Sequence, residues 1–175
     1  EYGQRAVVGK VVMDNPSQCP DYYRDTSTRD ALDNTETFTK FVNKLQQNNE
    51  GKIYAAITPR FIPSCTDEAL CELGKMAKES NVYVQTHCSE SDWEHQYVLE
   101  RCGKTDTEAL LEFGLLKKST ILAHGNFLSE RDMDIIKVQQ AGIAHCPLSN
   151  FFFSDAVFPL RKALRKGLSI GLGTD

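Results

Sequence analysis

The sequence predicts an α/β fold of parallel βα units, a (β/α)8 barrel with about six of its eight units present. Three observations lead there. Apolar, β-branched runs alternate six times with segments of helical period, the sequence form of repeated βαβ units. Polar residues able to do chemistry close several of these runs: His87 ends VYVQTH, His124 ends STILAH and Asp175 ends LSIGLGTD. Neither G-x-G-x-x-G nor G-x-x-x-x-G-K-[ST] occurs, so no phosphate cradle is indicated. A doubly wound sheet fits the alternation equally well. Polar groups at the ends of several consecutive strands favour the barrel, which builds its sites at that end.

Taken in order, strands are expected at residues 5–13, 53–58, 82–87, 120–124, 143–146 and 168–172. The first helix, 27–47, places Ala31, Phe38, Phe41, Val42 and Leu45 on one face. Thr66 caps the second, 67–79, with Asp67 and Glu68 in its first turn. Helices at 91–100 and 107–113 follow, the latter stopped by Gly114. Ser129 and Asp132 form a capping-box pattern before 130–140, and 159–166 ends at Gly167. Six strands are too few to close an eight-stranded barrel. Residues 1–175 therefore read as a single partial catalytic barrel domain, strands three to eight. The opening EYGQRAVVGKVV has neither an initiator Met nor a signal-peptide layout, and Asp175 ends the chain at a strand tip. Both features are read as signs of a chain cut from a longer protein.

Composition bounds the function. With 175 residues, 41% hydrophobic and 25% charged, the chain is long enough to bury a core. A net charge of −4 and a pI near 5.6 argue against nucleic acid, and RKALRK at 161–166 reads as a solvated helix face. Six cysteines without a C-x-x-C pair read as reduced thiols of a cytoplasmic protein. No apolar run approaches the roughly 18 residues of a membrane span.

In H-C-S-E, the offset of Glu90 from His87 brings the carboxylate back toward the same pocket if a turn follows the strand. A metal-bound imidazole beside a carboxylate that is not a ligand suits hydrolysis. Alone, H-x-x-E is weak, since a strand-end histidine is more often a structural residue. His124 adds a second imidazole, with Gly125 allowing a sharp turn, and Asp175 adds a carboxylate whose bland reading is a helix N-cap. Arg60 in ITPRF offers forked donors to a planar ligand and Phe61 an aromatic face, against a surface ion pair and ordinary packing. His145 ends a fifth strand and reads equally as lining or structural; His95 reads as surface or packing.

The series GKVVMD, ITPRF, QTHCSE, LAHGNFLS, IAHCPLSN and GLGTD, in this order, resembles the guanine deaminases of the amidohydrolase superfamily over essentially the whole chain. GTD and AHG are shared by many amidohydrolases; their combination with ITPRF is far more specific. The resemblance implies a metal-dependent hydrolase barrel with one catalytic zinc, iron being the other metal suited to such ligands. It implies hydrolysis of guanine to xanthine and ammonia, in purine catabolism. Under it, His87 and Asp175 are metal ligands, Glu90 is the proton shuttle and His124 orients the attacking hydroxide. Asp175 also accepts that water's proton, Arg60 and Phe61 hold the purine, and His87, Glu90 and Asp175 line the same pocket. It further implies a small-molecule purine partner, a homodimer at full length, a cytoplasmic location, and neither nucleic acid nor membrane.

One departure stands out. The family begins its metal site with an H-x-H pair on the first strand, and no His precedes His87. The chain alone is therefore expected neither to bind zinc tightly nor to turn over guanine. Deaminases of the cytidine-deaminase fold use H-x-E with P-C-x-x-C, a pattern missing here, so Cys146-Pro147 is not a zinc motif. The alternatives are an amidohydrolase of another amino-purine, a pterin or a triazine, and a non-catalytic scaffold. Retention of Glu90 beside His87 speaks against the scaffold.

Overall fold

The computed structural model describes residues 3–48 and 52–175; Glu1 and Tyr2, part of the opening segment considered above, lie outside them. Seven strands form one curled sheet: β1 (Ala6–Val8), β2 (Val11–Val12), β3 (Ile53–Pro59), β4 (Tyr83–Cys88), β5 (Thr120–His124), β6 (Gly142–His145) and β7 (Ser169–Leu172). Every pairing is parallel, and the order β1-β3-β4-β5-β6-β7 follows the chain, as in the arc of a barrel. The first expected strand is split in two. β1 and β2 keep one offset against β3, with Ala6 opposite Ile53 and Val11 opposite Thr58, so they are one strand interrupted at Gly9 and Lys10. A Cβ on Gly9 would stand 2.1 Å from Thr58 Oγ1 and 2.5 Å from the Ala56 carbonyl oxygen. Only glycine tolerates that approach.

Seven helices alternate with the strands: α1 (Thr28–Asn48), α2 (Asp67–Ser80), α3 (Asp92–Cys102), α4 (Asp106–Glu112), α5 (Glu130–Gln139), α6 (Pro147–Ser154) and α7 (Leu160–Lys166). Five start on a hydroxyl cap: Ser27 accepts from the Asp30 amide, Thr66 from Ala69, Ser91 from Glu94, Thr105 from Glu108 and Ser129 from Asp132. Strand alternation buries Val84, Thr86 and Cys88 of β4 with Leu122 of β5 and Ile143 of β6. The apolar members of this set share one core with Leu70, Leu73, Val98, Leu110, Met133 and Ile136 from the helices. Residues on the other register, Tyr83 and Ile121, are exposed.

Two expectations need correction. Phe41 is exposed, whereas Thr35 and Thr39 are buried beside Ala31 and Val42. At about 100° per residue, Phe41 and Thr39 flank the Ala31 axis on opposite sides, and the sheet takes the threonine side. α6 was not anticipated, because PLSNFFFS carries three consecutive aromatics instead of an amphipathic stripe. All six cysteines are free, and no described helix is long and apolar enough to cross a membrane.

Gly74 gives the packing a test. In α2 an alanine would gain about 1 kcal/mol of helix propensity. Its Cβ, however, would lie 1.8 Å from the Phe113 carbonyl oxygen, a backbone atom with little room to yield. Overpacking of that kind costs about 1–3 kcal/mol and outweighs the propensity. Gly74→Ala should lower Tm by several degrees, roughly 2–4 °C per kcal/mol at this size. A Tm at or above that of the parent would refute the α2–α4 packing.

Candidate active site

The polar strand-end residues converge because their strands are parallel neighbours in register. His87 stands opposite Ala123 and Cys88 opposite His124. Beyond the sheet the chain turns through left-handed backbone: Ser89 has φ 51°, His124 φ 73° and Asp175 φ 57°. The other three non-glycine residues with positive φ, Asn81, Gln140 and Asp155, are helix C-caps. Away from helix ends, then, this conformation occurs in non-glycine residues, among the described residues, only around the convergent cluster. Ser89 and His124, inside the chain, each store roughly 1–3 kcal/mol, a pattern associated with functional sites.

His124 is the buried centre. Its Nδ1 lies 2.9 Å from Asn150 Oδ1, which can only accept, so Nδ1 carries a proton and, in the neutral ring, Nε2 presents a lone pair. That Nε2 is 3.7 Å from Glu90 Oε1 and 3.8 Å from Asp175 Oδ2, and it is buried without a hydrogen-bond partner. The His87 ring meets the His124 ring edge-on, 5.0 Å between centroids. Asp175 Oδ2 accepts a 2.5 Å hydrogen bond from Ser149 Oγ. His87, Glu90 and Asp175 line a cleft of about 360 Å³ together with Arg60, Ser91, Phe153 and Ser154, and His124 lies buried behind them.

Arg60 is positioned from both sides. Its amide donates to the Val12 carbonyl and its carbonyl accepts from the His87 amide. The guanidinium carbon lies 5.5 Å from the Phe61 ring and 5.9 Å from the Tyr23 ring. Phe61 sits 6.2 Å from the His87 ring and 6.4 Å from the Trp93 ring. His145 does not line the cleft. It packs 5.0 Å from Phe158, and its Nδ1 is 3.4 Å from Asn150 Nδ2, so it reaches His124 only through Asn150. His95 is paired with Asp106, 3.1 Å away. Sequence reasoning missed Asn150, Ser149, Tyr23 and Phe153; the only local signal for the first two was Pro147, a helix-start residue.

The cleft shifts its two carboxyls in opposite directions. Burial pushes Glu90 up, and the Asp175 carboxylate adds to this against the pull of His124. The Ser149 hydrogen bond draws Asp175 down, helped by His124 and His87 against burial. Burial, then the neighbouring His124, lowers His87 to about 4, leaving a neutral imidazole. The ligand atoms of His87, Glu90 and His124 all lie within 4.8 Å of one another. The His87 imidazole, the orphaned buried Nε2 of His124 and the Glu90 carboxylate form a donor set that fits a divalent cation, and Asp175, expected as a ligand, falls outside this close group.

In the metal-free protein the His87 ring should titrate near pH 4, against the usual 6.5. Between those values the unfolded chain binds a proton that the folded chain does not, so stability falls as pH drops from about 6.5 to about 4. His87→Gln should remove that part of the acid sensitivity, at most about 3 kcal/mol. NMR of the ring proton checks the first point and denaturant melts the second; a ring titrating at 6.5 would refute the burial.

Known proteins with this arrangement are informative. The sequence profile of the amidohydrolase family matches residues 1–175. A guanine deaminase of Dictyostelium discoideum is 38% identical over 175 residues, 99% of this chain and 38% of that protein. One of Mus musculus is 38% identical over 177 residues, again spanning 38% of its length. The chain thus covers well under half of the relatives it matches. Among solved structures, a guanine deaminase from C. acetobutylicum with guanine bound in its active site superposes with a TM-score of 0.89 at 33% identity, covering 98% of this chain and 40% of that one. With a parallel barrel arc, polar residues gathered at its C-terminal strand ends and a profile match over its whole length, the chain belongs to the amidohydrolase family.

Proposed function

We propose that residues 1–175 form strands three to eight of a guanine deaminase barrel, and that the complete enzyme hydrolyses guanine to xanthine and ammonia. The observation carrying this reading is the opposed pair of carboxyls around His124, Glu90 pushed up and Asp175 drawn down, 3.7 and 3.8 Å from its bare Nε2. Carboxyls separated in this way take acid and base roles in one cleft. The similarity to guanine deaminases over the full chain and the Arg60–Phe61 pair support guanine as the substrate.

In this mechanism His87 and Asp175 would hold zinc, which when bound supplies Lewis acidity that activates water. Arg60 reads the purine carbonyl and a ring nitrogen through its forked donors, and Phe61 packs against the ring. His124, its tautomer fixed by Asn150, orients the water through Nε2. Asp175 accepts a proton from that water. Glu90 delivers a proton to the ring nitrogen next to the amino-bearing carbon and later helps protonate the departing ammonia. Water's oxygen thereby replaces the amino group. The complete enzyme is a homodimer in the reducing cytoplasm, where six free thiols are at home.

Glu90→Gln in the complete enzyme should lower kcat by about 10²–10⁴-fold while zinc content stays at wild-type stoichiometry. Unchanged turnover would reject the shuttle, whereas a complete wild-type protein without guanine turnover would reject the enzymatic reading in favour of a scaffold. Arg60→Met should raise KM for guanine roughly tenfold or more, as expected when a charged hydrogen-bond donor is lost. Faster turnover of an adenosine derivative, pterin or triazine than of guanine would reassign the substrate.

A further inference from the structure

The turn that carries Glu90 cannot fix itself. β4 ends at Cys88, so the peptides of Ser89 and Glu90 lie beyond the sheet ladder, and Ser89 is in the left-handed region. Two side chains from elsewhere hold the Glu90 peptide. Its amide donates to Glu94 Oε2 at 2.7 Å, and its carbonyl accepts from Asn126 Nδ2 at 2.8 Å. Glu94 is 1% exposed and Asn126 8%. The preceding peptide is gripped too: the Ser89 amide and Oγ donate to Asp106, and the Ser89 carbonyl accepts from the Asn126 amide.

Glu94 is used in an unusual way. Ser91-x-x-Glu94 is a capping-box sequence, in which the Glu normally reaches back to the amide of the capping Ser. Here it bypasses Ser91 and takes the amide one residue earlier, that of Glu90. Helix capping alone would not call for complete burial of this carboxyl beside a second one, Asp106, since unpaired buried charge is costly. Glu94 Oε1 has no donor in reach and neighbours Asp106. A proton shared between the two carboxyls satisfies both. Burial and Asp106 push Glu94 up in agreement, while Asp106 is served by Ser89 and His95. In its neutral form Glu94 accepts from the Glu90 amide and donates to Asp106.

We propose that Glu94 and Asn126 are positioning residues for Glu90, clamping its peptide from both sides and so setting the direction in which its carboxyl enters the cleft. This rests on the reading of Glu90 as the proton shuttle. Displacing a reacting group by about 1 Å costs on the order of 10²-fold in rate. The clamp therefore acts on the chemical step and leaves the purine contacts of Arg60 and Phe61 in place.

The test compares Glu94→Leu, Glu94→Gln, Asn126→Ala and Glu90→Gln in the complete enzyme, measuring kcat and KM for guanine, metal content and Tm. Glu94→Leu should lower kcat by about 10–10²-fold, with KM within threefold and full metal content. Glu94→Gln should restore most of that loss, because the amide accepts and donates as the neutral acid does. Asn126→Ala should lower kcat in the same selective way, and it carries the test if Glu94→Leu does not fold. Unchanged kcat in the Leu and Ala variants would overturn the proposal. So would a Gln variant as impaired as Leu, or losses that appear equally in KM and metal content. Glu90→Gln with full turnover would instead defeat the shuttle reading, whatever the clamp variants show.

Discussion

The parallel register between β4 and β5 is the constraint on which the rest of the site depends. It runs from Val84 opposite Thr120 to Cys88 opposite His124 and brings His87 beside the small side chain of Ala123. Side chains alternate faces with a period of two, so a slip of one residue would turn His87 toward the helices. What prevents the slip is apolar. Val84, Cys88 and Leu122 are locked among helix residues such as Leu70, Val98 and Met133. The core thus fixes the geometry of groups that belong to the opposite face.

That geometry is held against local cost. The backbone at Ser89 and His124 is in a region disfavoured for residues with a Cβ, and Glu94 and Asp106 are carboxyls almost without solvent. Cross-links between the two turns oppose relaxation: the Gly125 amide donates to the Cys88 carbonyl, and the Asn126 amide to that of Ser89. Each turn is therefore a template for the other. A change on one is felt on the other, and the two strand-end histidines move, if at all, as a unit.

How much of this was legible in the sequence follows from the range of each signal. β5 and the caps of α2 and α5 were readable because propensity, alternation and side-chain capping act within a few residues. His87, His124 and Asp175 stood out because each closes an apolar run. The exposed Phe41 was misread because the angular centre of a helix's buried stripe is set by the partner surface, which periodicity does not specify. Asn150 and Ser149 were invisible for a related reason. Their partners, His124 and Asp175, are each 26 residues away, and nothing in PLSNFFFS marks which side faces the site. His95 read as a surface or packing residue of a helix until α4 brought Asp106 against it, and nothing local marked Glu94 as buried beside the same carboxyl.

α6 shows why the missing part matters most. It exposes Phe151, Phe152 and Phe153, the last of them beside the cleft, so burial of its own aromatics cannot be what specifies it. Its buried residues are Ser149 and Asn150. Consecutive residues on a helix project about 100° apart, so neighbouring side chains address different targets. Here Asn150 fixes the tautomer of His124 while Ser149 draws down the carboxyl of Asp175. One turn of helix thus both engages Nδ1 of His124, leaving its Nε2 toward the carboxyls, and favours the ionised form of the carboxyl 3.8 Å from that nitrogen. Glu90, lacking such a donor at its carboxyl and partly buried, is left as the group that readily holds a proton. The opposite shifts of two chemically equivalent carboxyls therefore come from a neighbour's hydroxyl and from solvent exclusion, not from the carboxyls themselves.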